Sequence, residues 1–137
     1  MGGGRIFPVK KGLGSTDGEL EMFISINHSS PLGNTIVKNM SISSGEVEKI
    51  QITSLDNFAN KQNLKRVDFI KSDIEGAERD MLKGARNVLK EFAPKLALST
   101  YHLPDDPEVM EALIKDANPS YKVVHLNKKL FAACKRK

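Results

Sequence analysis

The chain has one cysteine, no tryptophan and two tyrosines among its 137 residues. A lone Cys134 excludes an internal disulfide, and the scarcity of thiols fits a reducing compartment, so a cytoplasmic location is expected. No apolar run approaches the ~20 residues that a bilayer span needs, so no membrane partner is expected. Met1 to Arg5 carry no apolar stretch of signal-peptide length, which argues against secretion. Neither sign of charge dominates: 21 Lys and Arg against 17 Asp and Glu leave a net charge of +4. The basic residues are scattered except for Lys135-Arg136-Lys137, which reads as a solvated tail. With no aromatic platform motif beside it, nucleic acid is not an expected partner. Internal repeats and low-complexity segments are also missing.

What is present is a globular composition, 39% hydrophobic and 28% charged, of a length that suits one domain or part of a larger one. Arg5–Val9 reads as a short strand. Lys10–Gly18 reads as a loop punctuated by Gly12, Gly14 and Gly18. Glu19–Ile26 alternates at period two and predicts a half-buried strand. Residues 27–45 are rich in Ser and Asn and predict a long loop, with a short strand near Ile36. Glu46–Thr53 is a further strand, and Ser54 can cap a short helix over 55–60. Val67–Ile74 is a short apolar run that ends among carboxylates. Ala77, Met81, Leu82, Ala85, Val88, Leu89 and Phe92 form one stripe at the helical period, which predicts a continuous helix over 77–92 stopped by Pro94. Lys95–Tyr101, apolar or small on both faces, reads as a strand buried between helical layers. Asp106-Pro107-Glu108, with Asp106 as the cap and Pro107 at the first helical position, starts a helix whose buried face is Val109, Met110, Leu113, Ile114 and Ala117. Tyr121–Leu126 and Leu130–Cys134 close the chain as a hairpin. The β-α-β-α-β order over 67–126 implies a parallel sheet, and the hairpin adds an antiparallel last strand.

Ligands in open α/β sheets bind beyond the carboxyl ends of the strands. Two such ends carry reactive side chains. One is Asp73-Ile74-Glu75-Gly76-Ala77-Glu78. Its acids suit the positive end of the following helix, so capping alone accounts for them as well as chemistry does. The other is Tyr101-His102, where His102 is either a base working near neutral pH or a loop side chain satisfied by backbone. If the two strands are neighbours, Asp73 and His102 share one pocket, at an expected separation of roughly 6–12 Å from strand spacing. Other features do not add a site. Gly12-Leu13-Gly14-Ser15-Thr16-Asp17-Gly18 nearly spells a dinucleotide loop, but the segment after it reads as a strand rather than a helix. His28, His102 and His125 have no ligand spacing, so no metal is expected.

Val67-Asp-Phe-Ile-Lys-Ser-Asp-Ile-Glu-Gly-Ala-Glu78, followed by Met81-Leu-Lys-Gly-Ala85, resembles the FkbM-type family of S-adenosylmethionine-dependent methyltransferases. Ile52–Phe58 is similar to that family's "tLDdf" segment, and Pro94–His102 to its strand ending in Tyr-His. The resemblance runs from about Val9 to Phe131. It implies a Rossmann-like α/β fold, a class I methyltransferase sheet, mostly parallel with an antiparallel C-terminal hairpin. It also implies that the chain, taken as one domain over 1–137, is N-terminally truncated and lacks the first two strands with their Gly-rich cofactor loop. A truncated reading frame, an expressed fragment and a degenerate copy are all consistent with that.

The resemblance implies methyl transfer to a hydroxyl on a sugar or natural product, the acceptor being a small molecule or a glycan. Asp73 and His102 are the expected catalytic residues. Glu75 and Gly76 are expected beside the cofactor, and Gly12 and Leu13 near its adenine. S-adenosylmethionine is the implied cofactor, with weak or no binding expected by this chain alone. The rival reading is a catalytically inactive remnant that binds a partner or forms a homo-oligomer through uncovered sheet.

Overall fold

The computed structural model describes residues 4–24 and 46–135. The expected loop over 27–45, the short strand near Ile36, His28, the end of the strand at Ile26 and the last two residues lie outside them.

Among the described residues, seven strands and four helices follow in the order β1 (Gly12–Leu13), β2 (Gly18–Ile24), β3 (Glu46–Thr53), α1 (Leu55–Lys61), β4 (Phe69–Ser72), α2 (Glu78–Lys83), α3 (Arg86–Glu91), β5 (Lys95–Ser99), α4 (Asp106–Ala117), β6 (Tyr121–Leu126) and β7 (Lys129–Cys134). They build two sheets, β1-β3-β2 and β4-β5-β7-β6. The expected strand over 5–9 is not a strand, and pairing begins instead at Gly12-Leu13, which had read as loop. Short irregular pieces of this kind form strands because a partner, here β3, offers a free edge. Periodicity cannot show that.

β4 and β5 are adjacent and parallel, with Phe69 opposite Lys95 and Ser72 opposite Leu98. The helical connection between them is long enough for a parallel crossover. β7 then inserts antiparallel between β5 and β6, with Leu98 opposite Leu130. The second sheet therefore has one parallel pair and two antiparallel pairs, not the mostly parallel sheet that was expected. The hairpin turn is Asn127-Lys128, both left-handed at φ 51° and 60°. That is the type I′ geometry whose twist matches the flanking strands.

Helices α2, α3 and α4 cover one face of this sheet. Met81, Leu82, Leu89, Met110 and Ile114 meet Leu96, Leu98 and Leu130 there in a continuous buried cluster. Tyr121 is buried with it, and its hydroxyl donates to the carbonyl of Pro94 at 2.6 Å. Burial raises the phenol's pKa, with a further push from Cys134. The opposite face of the sheet carries Phe69, Val124, Leu126 and Phe131, all exposed among the described residues. The expected cover on both faces is thus met on one.

The single helix expected over 77–92 is two. Asp56 is the cause. Its backbone N–H donates to the carbonyl of Gly84 at 2.8 Å, and its carboxylate accepts the N–H groups of Val88 and Asn87 at 2.9 and 3.0 Å. In an unbroken helix Gly84 and Val88 would bond each other. Asp56 takes both groups and docks α1 and the first sheet on the second. Gly84 is needed at this break because the carbonyl oxygen of Gly14 lies 2.1 Å from where a Cβ would stand.

Candidate functional site

The chain leaves β4 at Ser72 and turns into α2 through Asp73–Ala77. Glu75 and Gly76 are both left-handed there, at φ 54° and 96°. The chain leaves β5 at Ser99 and reaches α4 through a turn containing His102. Because β4 and β5 are neighbours and parallel, both turns lie at the same end of the sheet.

They meet directly. His102 Nε2 lies 3.2 Å from Asp73 Oδ1, and the Tyr101 hydroxyl donates to the same oxygen at 3.2 Å. The separation is shorter than strand spacing suggested, because each side chain reaches from its own loop into the gap between the strands. The Tyr101 and His102 rings stack at a tilt, with centroids 4.0 Å apart. Glu75 Oε2 lies 3.8 Å from His102 Nδ1. A residue that had not been counted in the site completes it: Glu78 Oε1 lies 3.7 Å from His102 Nε2. The His102 side chain is 10% exposed, against 52% for Asp73 and 1% for Glu78. Asp73 is therefore open to an incoming molecule, while His102 and Glu78 lie behind it.

Partial burial pushes the Asp73 carboxyl up, but hydrogen bonds from His102 and Tyr101 outweigh this and hold it below its ordinary value. The carboxylate is ionised at neutral pH. Burial and the neighbouring carboxylates, Asp73 first, raise the Tyr101 phenol, so it stays a donor. Among the described residues, no Lys or Arg pairs with Asp73, Glu75 or Glu78; the basic side chain beside all three is the His102 ring. One ligand atom each from Asp73, Glu75 and His102 lies within 4.8 Å of the others. Such a cluster can orient a hydroxyl, accept its proton, or face a cation.

The other expected site residues divide. Leu13, Glu75 and Gly76 line one cleft of about 270 Å³, together with Gly14, Ile52 and Asp80. Gly12 lines a different cleft, between Val9–Lys11 and Glu48–Gln51. His125 has no part in either; it is exposed and lies 2.7 Å from Glu111. Cys134 is half-buried, and burial raises its thiol. Glu78 was legible only as the last acid of its motif, since nothing in the spacing shows that it turns back to its own loop.

Comparison with known proteins adds the context. The profile of the methyltransferase FkbM domain matches residues 7–121. The fold is similar to the crystal structure of methyltransferase FkbM from Methylobacillus flagellatus KT, with a TM-score of 0.59 and 24% sequence identity. The match covers 90% of this chain and 27% of that one. No curated protein matches the chain.

Proposed function

Since the chain belongs to the methyltransferase FkbM domain family, we propose that it serves S-adenosylmethionine-dependent methyl transfer to a hydroxyl of a small molecule or glycan, with Asp73 and His102 on the acceptor side. The observation that supports this reading is the Asp73–His102 contact at the carboxyl ends of two adjacent parallel strands, where α/β enzymes bind ligands.

The cofactor, when bound, supplies an electrophilic methyl group on a sulfonium. The described residues fit its surroundings only in part. Leu13, Glu75 and Gly76 offer a cleft beside the acid cluster. However, no Gly-rich turn among the described residues leads from a strand into a helix to grip an amino-acid end. The chain's own contribution is to the acceptor. A hydroxyl donating to Asp73 is aligned for attack, and its proton becomes strongly acidic as the new O–C bond forms, so an ionised carboxylate is a sufficient base. His102 and Tyr101, both bonded to Oδ1, hold that carboxylate in place and stabilise its charge.

One observation favours a second reading, a non-catalytic binding module: the exposed apolar sheet face of Phe69, Val124, Leu126 and Phe131. Incubation with methyl-labelled cofactor at millimolar concentration and a panel of hydroxyl compounds separates the two. Label transfer that is lost in Asp73→Asn supports the enzyme. Equal transfer by the variant removes Asp73 from the reaction, and no transfer to any acceptor leaves the binding module.

A further inference from the structure

Two carboxylates flank the site almost wholly buried. Glu78 and Asp106 are each 1% exposed. Burying a carboxylate is costly unless donors meet it, so what each one bonds identifies what that cost maintains. Glu78 Oε1 accepts the N–H of Ile74 at 2.8 Å and Oε2 accepts the N–H of Gly76 at 3.1 Å. These two amides bracket Glu75, the residue at φ 54°. Asp106 Oδ2 accepts the N–H of Leu103 at 3.0 Å, directly after His102. Its Oδ1 accepts from Arg79 Nε at 2.8 Å, and Arg79 also bonds Asp105.

Glu78 and Arg79 are consecutive residues in the first turn of α2. One grips the loop that carries Asp73; the other, through Asp106, grips the loop that carries His102. We infer that this turn is the positioning element of the site, with Glu78 and Arg79 as positioning residues that hold Asp73 and His102 in contact. Glu78 has a second part. With Asp73 Oδ1 at 3.2 Å and Glu78 Oε1 at 3.7 Å, two carboxylates face His102 Nε2. They favour a proton on Nε2 over one on Nδ1, which faces the single carboxylate of Glu75 at 3.8 Å. A purely structural strut would fix the loops without setting the state of the ring. The inference concerns how the pair is held and stands whichever reaction the pair performs.

Nuclear magnetic resonance on the chain tests it without an activity assay. In Glu78→Gln, one of the two loop amides loses its acceptor. Exchange at Ile74 or Gly76 should rise at least about tenfold, with Leu103 unchanged. In Arg79→Met the pattern should reverse, with Leu103 faster and Ile74 and Gly76 unchanged. The amides of Leu89 and Asn118, bonded elsewhere, report that the fold is intact. In both variants the ¹⁵N signals of the His102 ring should move from a proton fixed on Nε2 toward a mixture of tautomers. If the ring signals stay as in the parent while the amides loosen, the two residues are only struts and the inference fails. Should Glu78→Gln not fold, Glu78→Asp keeps the charge on a shorter arm. In that variant, loosened amides together with a mixed ring would support the inference, and loosened amides beside a parent-like ring would overturn it.

Discussion

Asp73 and His102 stand 29 positions apart in the chain, and their side chains meet with Oδ1 and Nε2 separated by 3.2 Å. Neither lies in a strand. Each occupies the turn after one, and the parallel pairing of β4 with β5 turns two distant loops into one site. That relationship gives the first prediction.

Asp73→Asn should cut methyl transfer by about 100-fold, the lower range for a lost acid–base group. It should leave the unfolding free energy, measured in urea, within about 0.5 kcal/mol of the parent, as for other exposed substitutions. His102→Ala should act in the same direction. Equal losses of folding and activity in Asp73→Asn would return the residue to a capping role.

Binding of S-adenosylmethionine should be weak, with a dissociation constant near or above about 1 mM, some ~4 kcal/mol of binding. Calorimetric titration of the chain measures this directly. A constant near about 1 μM would mean that Leu13, Glu75 and Gly76 hold more of the cofactor than their cleft suggests.

Gly84→Ala should destabilise the fold. The backbone angle suits alanine, and helix propensity alone would favour it by about 1 kcal/mol. The added Cβ, however, meets the carbonyl of Gly14 at 2.1 Å, and overpacking of this kind costs about 1–3 kcal/mol. Urea unfolding distinguishes the signs; a stabilised variant would mean that the two sheets do not dock at this point.

Asp17 offers a pH test away from the site. Its carboxylate accepts the N–H of Ser54 at 3.0 Å and the Thr53 hydroxyl at 3.1 Å, and pairs with Lys61. The Ser54 bond leads in holding its carboxyl well below the ordinary value of 3.8. A depressed folded-state value stabilises at pH above the unfolded value and is lost as pH falls through the folded one. The parent should therefore exceed Asp17→Asn in urea midpoint at pH 7. The gap should shrink steadily below about pH 4. A gap that stays constant down to pH 2 would show that the loss comes from the geometry of the amide and that the charge of Asp17 has no part.

Patterns with a short physical range were readable in the residues. Ser54 caps α1 by accepting the N–H of Asn57, and α4 buries Met110, Ile114 and Ala117 as its period required. The hairpin of β6 and β7 stands where hairpin length placed it. At the start of α4, Asp106 had read as the cap; the cap is Asp105, and Asp106 turns inward to Leu103 and Arg79. The break at Gly84 was hidden because the apolar stripe continues across it. A helix is interrupted there by a residue 28 positions upstream, and no local pattern carries that.

The sequence by itself determined the family motif, most strand and helix types, and the choice of Asp73 and His102 as candidates for one site. All of these depend on neighbours within a few residues or on side-chain chemistry. Only the tertiary structure decided that β7 lies between β5 and β6, that Asp56 splits one helix into two, and that Glu78 and Arg79 hold the two loops of the site together. Each of these is a hydrogen-bonding choice among groups that are distant in the chain, and such choices exist only once packing has brought the groups within reach of one another.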